Sequence, residues 1–160
     1  YAGTSHDNIV ENNVFDGCSN SGVEFMGSNS GTVYGHIVRN NIMINCGLDN
    51  NNYGMTFITD GTFADNNTIQ NNDIYSSATT STVGYYGVAM TVETFNSQTT
   101  NGHTISENIS GNPLFISESD YHLQSGSLAR NAGTAALATK DYDGNTMDPT
   151  TPDLGIYEHQ

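Results

Sequence analysis

Apolar and polar positions recur along this chain in four related stretches. They are "IVENNVFDGC" (Ile9 to Cys18), "IVRNNIMINC" (Ile37 to Cys46), "TIQNNDIYSS" (Thr68 to Ser77) and "TISENISGNP" (Thr104 to Pro113). Val10, Val38, Ile69 and Ile105 form one column, at spacings of 28, 31 and 36 residues. Asn13, Asn41, Asn72 and Asn108 form a second, and Phe15, Met43 and Ile74 a third. A Gly-led echo follows: "GVEF" (Gly22 to Phe25), "GMTF" (Gly54 to Phe57) and "GVAM" (Gly87 to Met90). Each unit thus predicts an Asn-bearing strand, a corner, a Gly-led strand and a loop of variable length. β-Branched residues and Asn pairs argue against helices, and no capped run of period 3.6 occurs. Constant columns with variable loops are the mark of stacked repeats.

Stacking supplies a reason for the Asn column. Parallel strands lie about 4.8 Å apart, a spacing at which identical amides hydrogen-bond up the stack as a ladder. Asn also tolerates the left-handed backbone that a corner needs. Substituting a buried ladder residue should therefore destabilise the fold.

The repeat resembles that of the right-handed parallel β-helix proteins of the pectate-lyase-like superfamily. The stretches "NPLF" (Asn112 to Phe115), "DYHLQSGSLARNAGT" (Asp120 to Thr134), "DYDGN" (Asp141 to Asn145) and "PDLGIYEHQ" (Pro152 to Gln160) resemble, in order, the C-terminal closing segment of secreted bacterial members. Two departures stand out: Ser125 to Leu128 lacks the usual prolines, and Arg130 sits where an Ile is common. The resemblance implies an all-β, single-stranded right-handed parallel β-helix of about three to four coils over residues 1–111. Residues 112–160 would be a closing segment of the same domain that covers the last coil. It also implies an extracellular or cell-surface, carbohydrate-active protein, the C-terminal part of a polysaccharide-binding or lyase-like parent whose catalytic coils lie upstream. The fold hosts many functions, and the alternative is a non-catalytic structural or adhesive module.

Charge narrows the partners. The 160 residues carry 17 acids and 3 bases, a net charge of −14. Such a chain repels phosphate backbones and anionic membranes, which excludes nucleic acid as an expected partner. No apolar run is long enough for membrane insertion. Charged residues make up only 12% of the chain, too few for charge-driven disorder. Polysaccharide is the expected partner, and few bases favour a neutral glycan over an anionic one. The sequence opens on Tyr1, which reads as a processed form or an excerpt. The first coil has no evident cap, so the N-terminal end is expected to be continued by upstream coils or to self-associate axially.

Candidate chemistry is sparse. Arg39 is the only base in the coils and the one catalytic candidate; its column places it beside Glu11, as an exposed pair. Tyr53, Tyr85 and Tyr86 are the substrate-binding candidates, either an exposed stack for sugar rings or caps on the core edge. His36 and His103 share a column with Asn8 and Asn67 and read as interchangeable turn caps. Glu24 aligns with Thr56 and Ala89 and has no stacked carboxylate partner. Asp49, Asp60 and Asp65 fall in loops and read as solvated turns. Asp141, Asp143 and Asn145 resemble the start of a calcium loop, but Pro152 stands where the bidentate Glu would be, and an ordinary turn is preferred. Calcium is the only cofactor suggested. Cys18 and Cys46 share a column and are expected as two thiols, because stacked side chains suit disulfide geometry badly.

Overall fold

A computed structural model describes residues 4–27, 32–47, 53–57 and 64–159. The chain is predominantly β, with parallel sheets built from strands of successive units. One sheet joins Ile9–Glu11, Ile37–Arg39, Thr68–Gln70 and Thr104–Ser106. A second joins Val14–Asp16, Ile42–Ile44 and Asp73–Tyr75. A third joins Val23–Phe25, Met55–Phe57 and Val83–Tyr85, and a short fourth joins Ser5–His6, Val33–Tyr34 and Ala64–Asp65. The register is that of the sequence columns: Val10 pairs with Val38, Ile69 with Val38, and Ile69 with Ile105. These residues, with Phe15, Met43 and Ile74, fill one apolar core.

The two Asn of each pair divide the work. Asn12, Asn40 and Asn71 take left-handed backbone at φ of 58°, 57° and 52° and turn the corner between the first two sheets. The residue that follows points inward. The backbone N–H and Nδ2 of Asn13 both donate to Asn41 Oδ1, at 3.0 Å each. Asn41 donates in the same way to Asn72, and Asn72 to Asn108. A parallel mixed column runs alongside. Asn8 N–H donates to His36 Nδ1, His36 N–H to Asn67 Oδ1, and Asn67 N–H to His103 Nδ1. Imidazole and amide are interchangeable there because both offer an acceptor at the same reach.

The third sheet departs from the sequence alignment. Val83–Tyr85, and not Val88–Met90, continues the column of Val23 and Met55. Tyr86 and Gly87, at φ of 48° and 80°, form a tight turn that folds Val88–Met90 back antiparallel onto Val83–Tyr85. Glu24 therefore stacks with Thr56 and Gly84 rather than with Ala89. This register brings the rings of Phe25, Phe57 and Tyr85 together; Phe25 and Phe57 stack at 4.4 Å.

The last unit is closed by a helical turn, Val92–Phe95, rather than by the closing segment. Val92 and Phe95 are buried on the core, and Phe95 packs 5.6 Å from Tyr85. Asn96 then seals the ladder. It receives Asn108 N–H and Nδ2 on its Oδ1 and returns its own Nδ2 to Asn108 O.

The closing segment instead runs along the flank. Leu123, Ala129 and Leu154 form a second apolar cluster with Ile42, against Val14 and Ile109. These face outward from the second sheet, so they need this cover. Asn40 Nδ2 donates to Thr134 O at 2.7 Å, Thr134 N–H donates to Asn40 Oδ1, and Asn71 Nδ2 donates to Ala132 O. Cys18 and Cys46 are both free thiols. Burial pushes the Cys46 thiol up to about 12, and its S–H faces Phe15 O at 3.4 Å.

Candidate functional site

The flanking segment gathers the most chemistry. Its hairpin, Phe115–Ser117 with Asp120–Leu123, carries His122 towards the turn at Asp141 to Asn145 and the chain's last residues. Asp120 Oδ1 lies 2.5 Å from His122 Nδ1, and Asp143 Oδ2 lies 3.1 Å from Nε2. Asp120 Oδ1 also accepts the His122 N–H, at 3.1 Å, which fixes the hairpin side chain. The Asp120 carboxylate is the main reason that the His122 pKa is raised, and Asp120 is held low in return. A carboxylate at each nitrogen favours the imidazolium, in which neither nitrogen has a free lone pair and the ring is not a general base.

Aromatic rings flank this cluster on one side. The His122 ring stacks on Tyr157 at 3.7 Å and 13°. Tyr142, 79% exposed, meets Tyr157 edge-on at 6.0 Å. A cavity of about 270 Å³ opens beside them, lined by His122, Leu123, Asn145, Tyr157, Glu158 and His159. Aromatic rings and carboxylate acceptors thus lie side by side on one surface.

The other candidates lie elsewhere. Arg39 pairs with Glu11, its Nη2 and Nε both on Glu11 Oε2 at 2.8 and 2.9 Å. The pair is not the exposed one expected: the side chains are only 16% and 12% exposed. Closing-segment backbone covers it, with Leu137 and Ala138 N–H donating to Glu11 Oε1. Glu11→Gln is expected to weaken this junction, lowering the thermal midpoint by several degrees and raising exchange of the Leu137 and Ala138 amides. Unchanged exchange at both amides would refute the clamp.

The three tyrosines do not form one exposed stack. Tyr85 is 4% exposed, among Phe57, Tyr86, Phe95 and His103. A ring so enclosed presents no face to a sugar. Tyr86 is half-buried; its hydroxyl donates to Ala64 O and accepts from His103 Nε2, at 3.1 and 2.9 Å. Tyr53 is half-buried, its ring lying against Gly84, where a Cβ would collide with it. The hairpin turn, invisible in the column alignment, places Tyr85 in the strand and Tyr86 in the turn, with their rings 4.4 Å apart.

Asp141, Asp143 and Asn145 hold one another rather than converge on an open centre. Asp141 accepts from Asn145 N–H at 2.7 Å, from Asn145 Nδ2 and from Glu158 N–H. Asp143 faces His122. Among the described residues no group of three or more His, Cys, Asp or Glu is placed to hold a metal. Asp49 and Asp60 lie outside the described residues.

Sequence reasoning passed over His122, Tyr142 and Tyr157. The available signal was two Asp-flanked motifs, "DYH" and "DYD", in one segment. Compared with models of protein families and with curated proteins, the sequence matches none.

Proposed function

We propose that the chain is a right-handed, single-stranded parallel β-helix of about three to four coils, similar to the pectate-lyase-like proteins. In this reading it works outside the cell and holds a neutral polysaccharide. Right-handedness is the rule for parallel crossovers within one sheet, and the in-register parallel sheets support the coil. The observation that carries the glycan reading is the group of Tyr142, Tyr157 and His122 bounded by Asp120 and Asp143. Its carboxylates repel uronates and suit hydroxyl-rich sugars.

The test is retention by affinity electrophoresis against neutral and uronate-rich polysaccharides. Retention by a neutral glycan is expected, weakened about 5- to 10-fold in Tyr142→Ala or Tyr157→Ala by the loss of stacking. No retention by any neutral polysaccharide, or retention indifferent to both substitutions, overturns the reading.

Lyase chemistry in a longer parent would belong to coils other than those described. Arg39, the candidate base, is held by Glu11 beneath the flanking segment. No unsaturated product is expected from pectate, alginate or chondroitin, with or without Ca²⁺, when ultraviolet absorbance of unsaturated uronates is followed. Turnover abolished by Arg39→Ala would restore catalysis to this chain.

A further inference from the structure

The two ends of the ladder differ in chemistry. Every ladder Asn donates its N–H and Nδ2 to the unit that follows, so donors point towards the C-terminal end. There the last pair is taken by Asn96. At the N-terminal end the row stops on an acceptor: among the described residues, Asn13 Oδ1 receives no hydrogen bond. The backbone is left open in the same sense. Ile37 N–H donates back to Asn8 O, and Ile42 N–H to Asn13 O. By the same register the Ile9 and Val14 N–H groups point off the first unit, with no strand beside them among the described residues.

The surface around these groups is more apolar than polar. A hollow of about 310 Å³ opens at this end, where Val10, Val23, Phe25, Val33 and Val38 lie beside Ser5, Asn8, Glu24 and His36. Ile9 and Met26 are 42% and 62% exposed.

We propose that this face docks one further parallel unit of the chain's own repeat pattern, joined ahead of the first strand. Its ladder Asn would place N–H and Nδ2 on Asn13 Oδ1 and its carbonyl on the Val14 N–H. Asn13 stands in that same relation to Asn41 and Ile42. A second copy of the chain is a poor occupant. At its N-terminal face the Asn13 donors are already on Asn41, and at its C-terminal face the Asn108 donors are on Asn96. Neither face offers a free ladder amide, and each copy carries a net charge of −14. The inference rests on backbone register and ladder polarity and does not depend on the glycan reading.

The test inserts a second copy of residues 8–35 directly ahead of Asn8 and follows amide hydrogen exchange. The original Ile9 and Val14 amides are expected to slow by about 100-fold or more. Much of that protection should vanish when the inserted unit carries the equivalent of Asn13→Leu. A second variant inserts residues 36–66 instead, so that one poorly folding insert does not decide the matter. Unchanged exchange at both amides in both inserts, or failure of both to fold, overturns the proposal. Sedimentation velocity of the unaltered chain is the third arm. A monomer is expected, and a concentration-dependent dimer that protects Ile9 and Val14 overturns the choice of occupant.

Discussion

Asn41→Leu is expected to cost about 3 kcal/mol of folding free energy, read as a lowered midpoint in urea with an unchanged slope. Asn41 is fully buried. Its Oδ1 takes both Asn13 donors, and its Nδ2 reaches Val10 O, Arg39 O and Asn72 Oδ1 at 2.9, 2.8 and 3.0 Å. Leu occupies a similar volume but leaves the Asn13 N–H without an acceptor and removes the amide's own bonds to Val10 O, Arg39 O and Asn72 Oδ1. An orphaned donor costs roughly 1–3 kcal/mol, and the lost bonds add to it. Asn13→Leu should cost less, because its Oδ1 receives nothing from the described residues. Equal losses at the two positions would mean that the ladder's internal polarity carries no energy.

Asp73→Asn is expected to stabilise the protein by an amount that grows as pH rises from about 4 to about 7. Asp73 occupies the outward position of Val14 and Ile42 and is 0% exposed. Its Oδ1 accepts the Gly111 N–H at 3.0 Å, while Oδ2 is buried without a partner. Burial pushes the carboxyl up to about 7, against the smaller downward pull of Gly111. The folded pKa lies above the unfolded one. The protonated form's stability is therefore complete below about pH 4 and is lost as pH rises through about 7. Asn keeps the bond to Gly111 and never ionises. The difference between variant and wild type should be small at pH 4 and about 3 kcal/mol at pH 8.

His36 and His103 act in the opposite sense, whereas His122, whose pKa is raised, acts in the same sense as Asp73. Burial lowers the pKa of His36 and of His103, so their contribution is present above the unfolded value and is lost as pH falls. The slopes of His36 and His103 thus partly oppose that of Asp73, and Asp73→Asn should shift the balance towards greater stability as pH rises. Denaturation at several pH values decides it. A pH-independent offset between the two proteins would show that Asp73 is not the source.

The repeat was legible because identical side chains must stack. Val38, Asn41 and Met43 could be placed from sequence, and the mixed His and Asn column as well. Four features escaped. The Tyr86–Gly87 turn breaks the third column, and two strands of similar apolar character, "VGY" and "VAM", compete for one place in it. Asn96 replaces a ladder unit from outside the repeat, where no column points to it. Asp73 interrupts an outward apolar column, a cue visible only once the flank is known to be covered. The His122 cluster depends on the packing of three short stretches of the closing segment, which no periodicity records.

The course of that segment bears on how the protein comes apart. Residues 132 to 138 cross the layers in reverse order: Ala132 meets Asn71, Thr134 meets Asn40, and Leu137 and Ala138 meet Glu11. In a plain repeat array each layer senses only its neighbours, and melting can proceed by fraying from an end. Here the outermost layer cannot leave without detaching a tie that also grips the two beneath it. Melting should accordingly be a single concerted transition, with the calorimetric and van't Hoff enthalpies in agreement. One proteolytic cut between Ala132 and Ala138 should convert it into the graded loss of a frayed array.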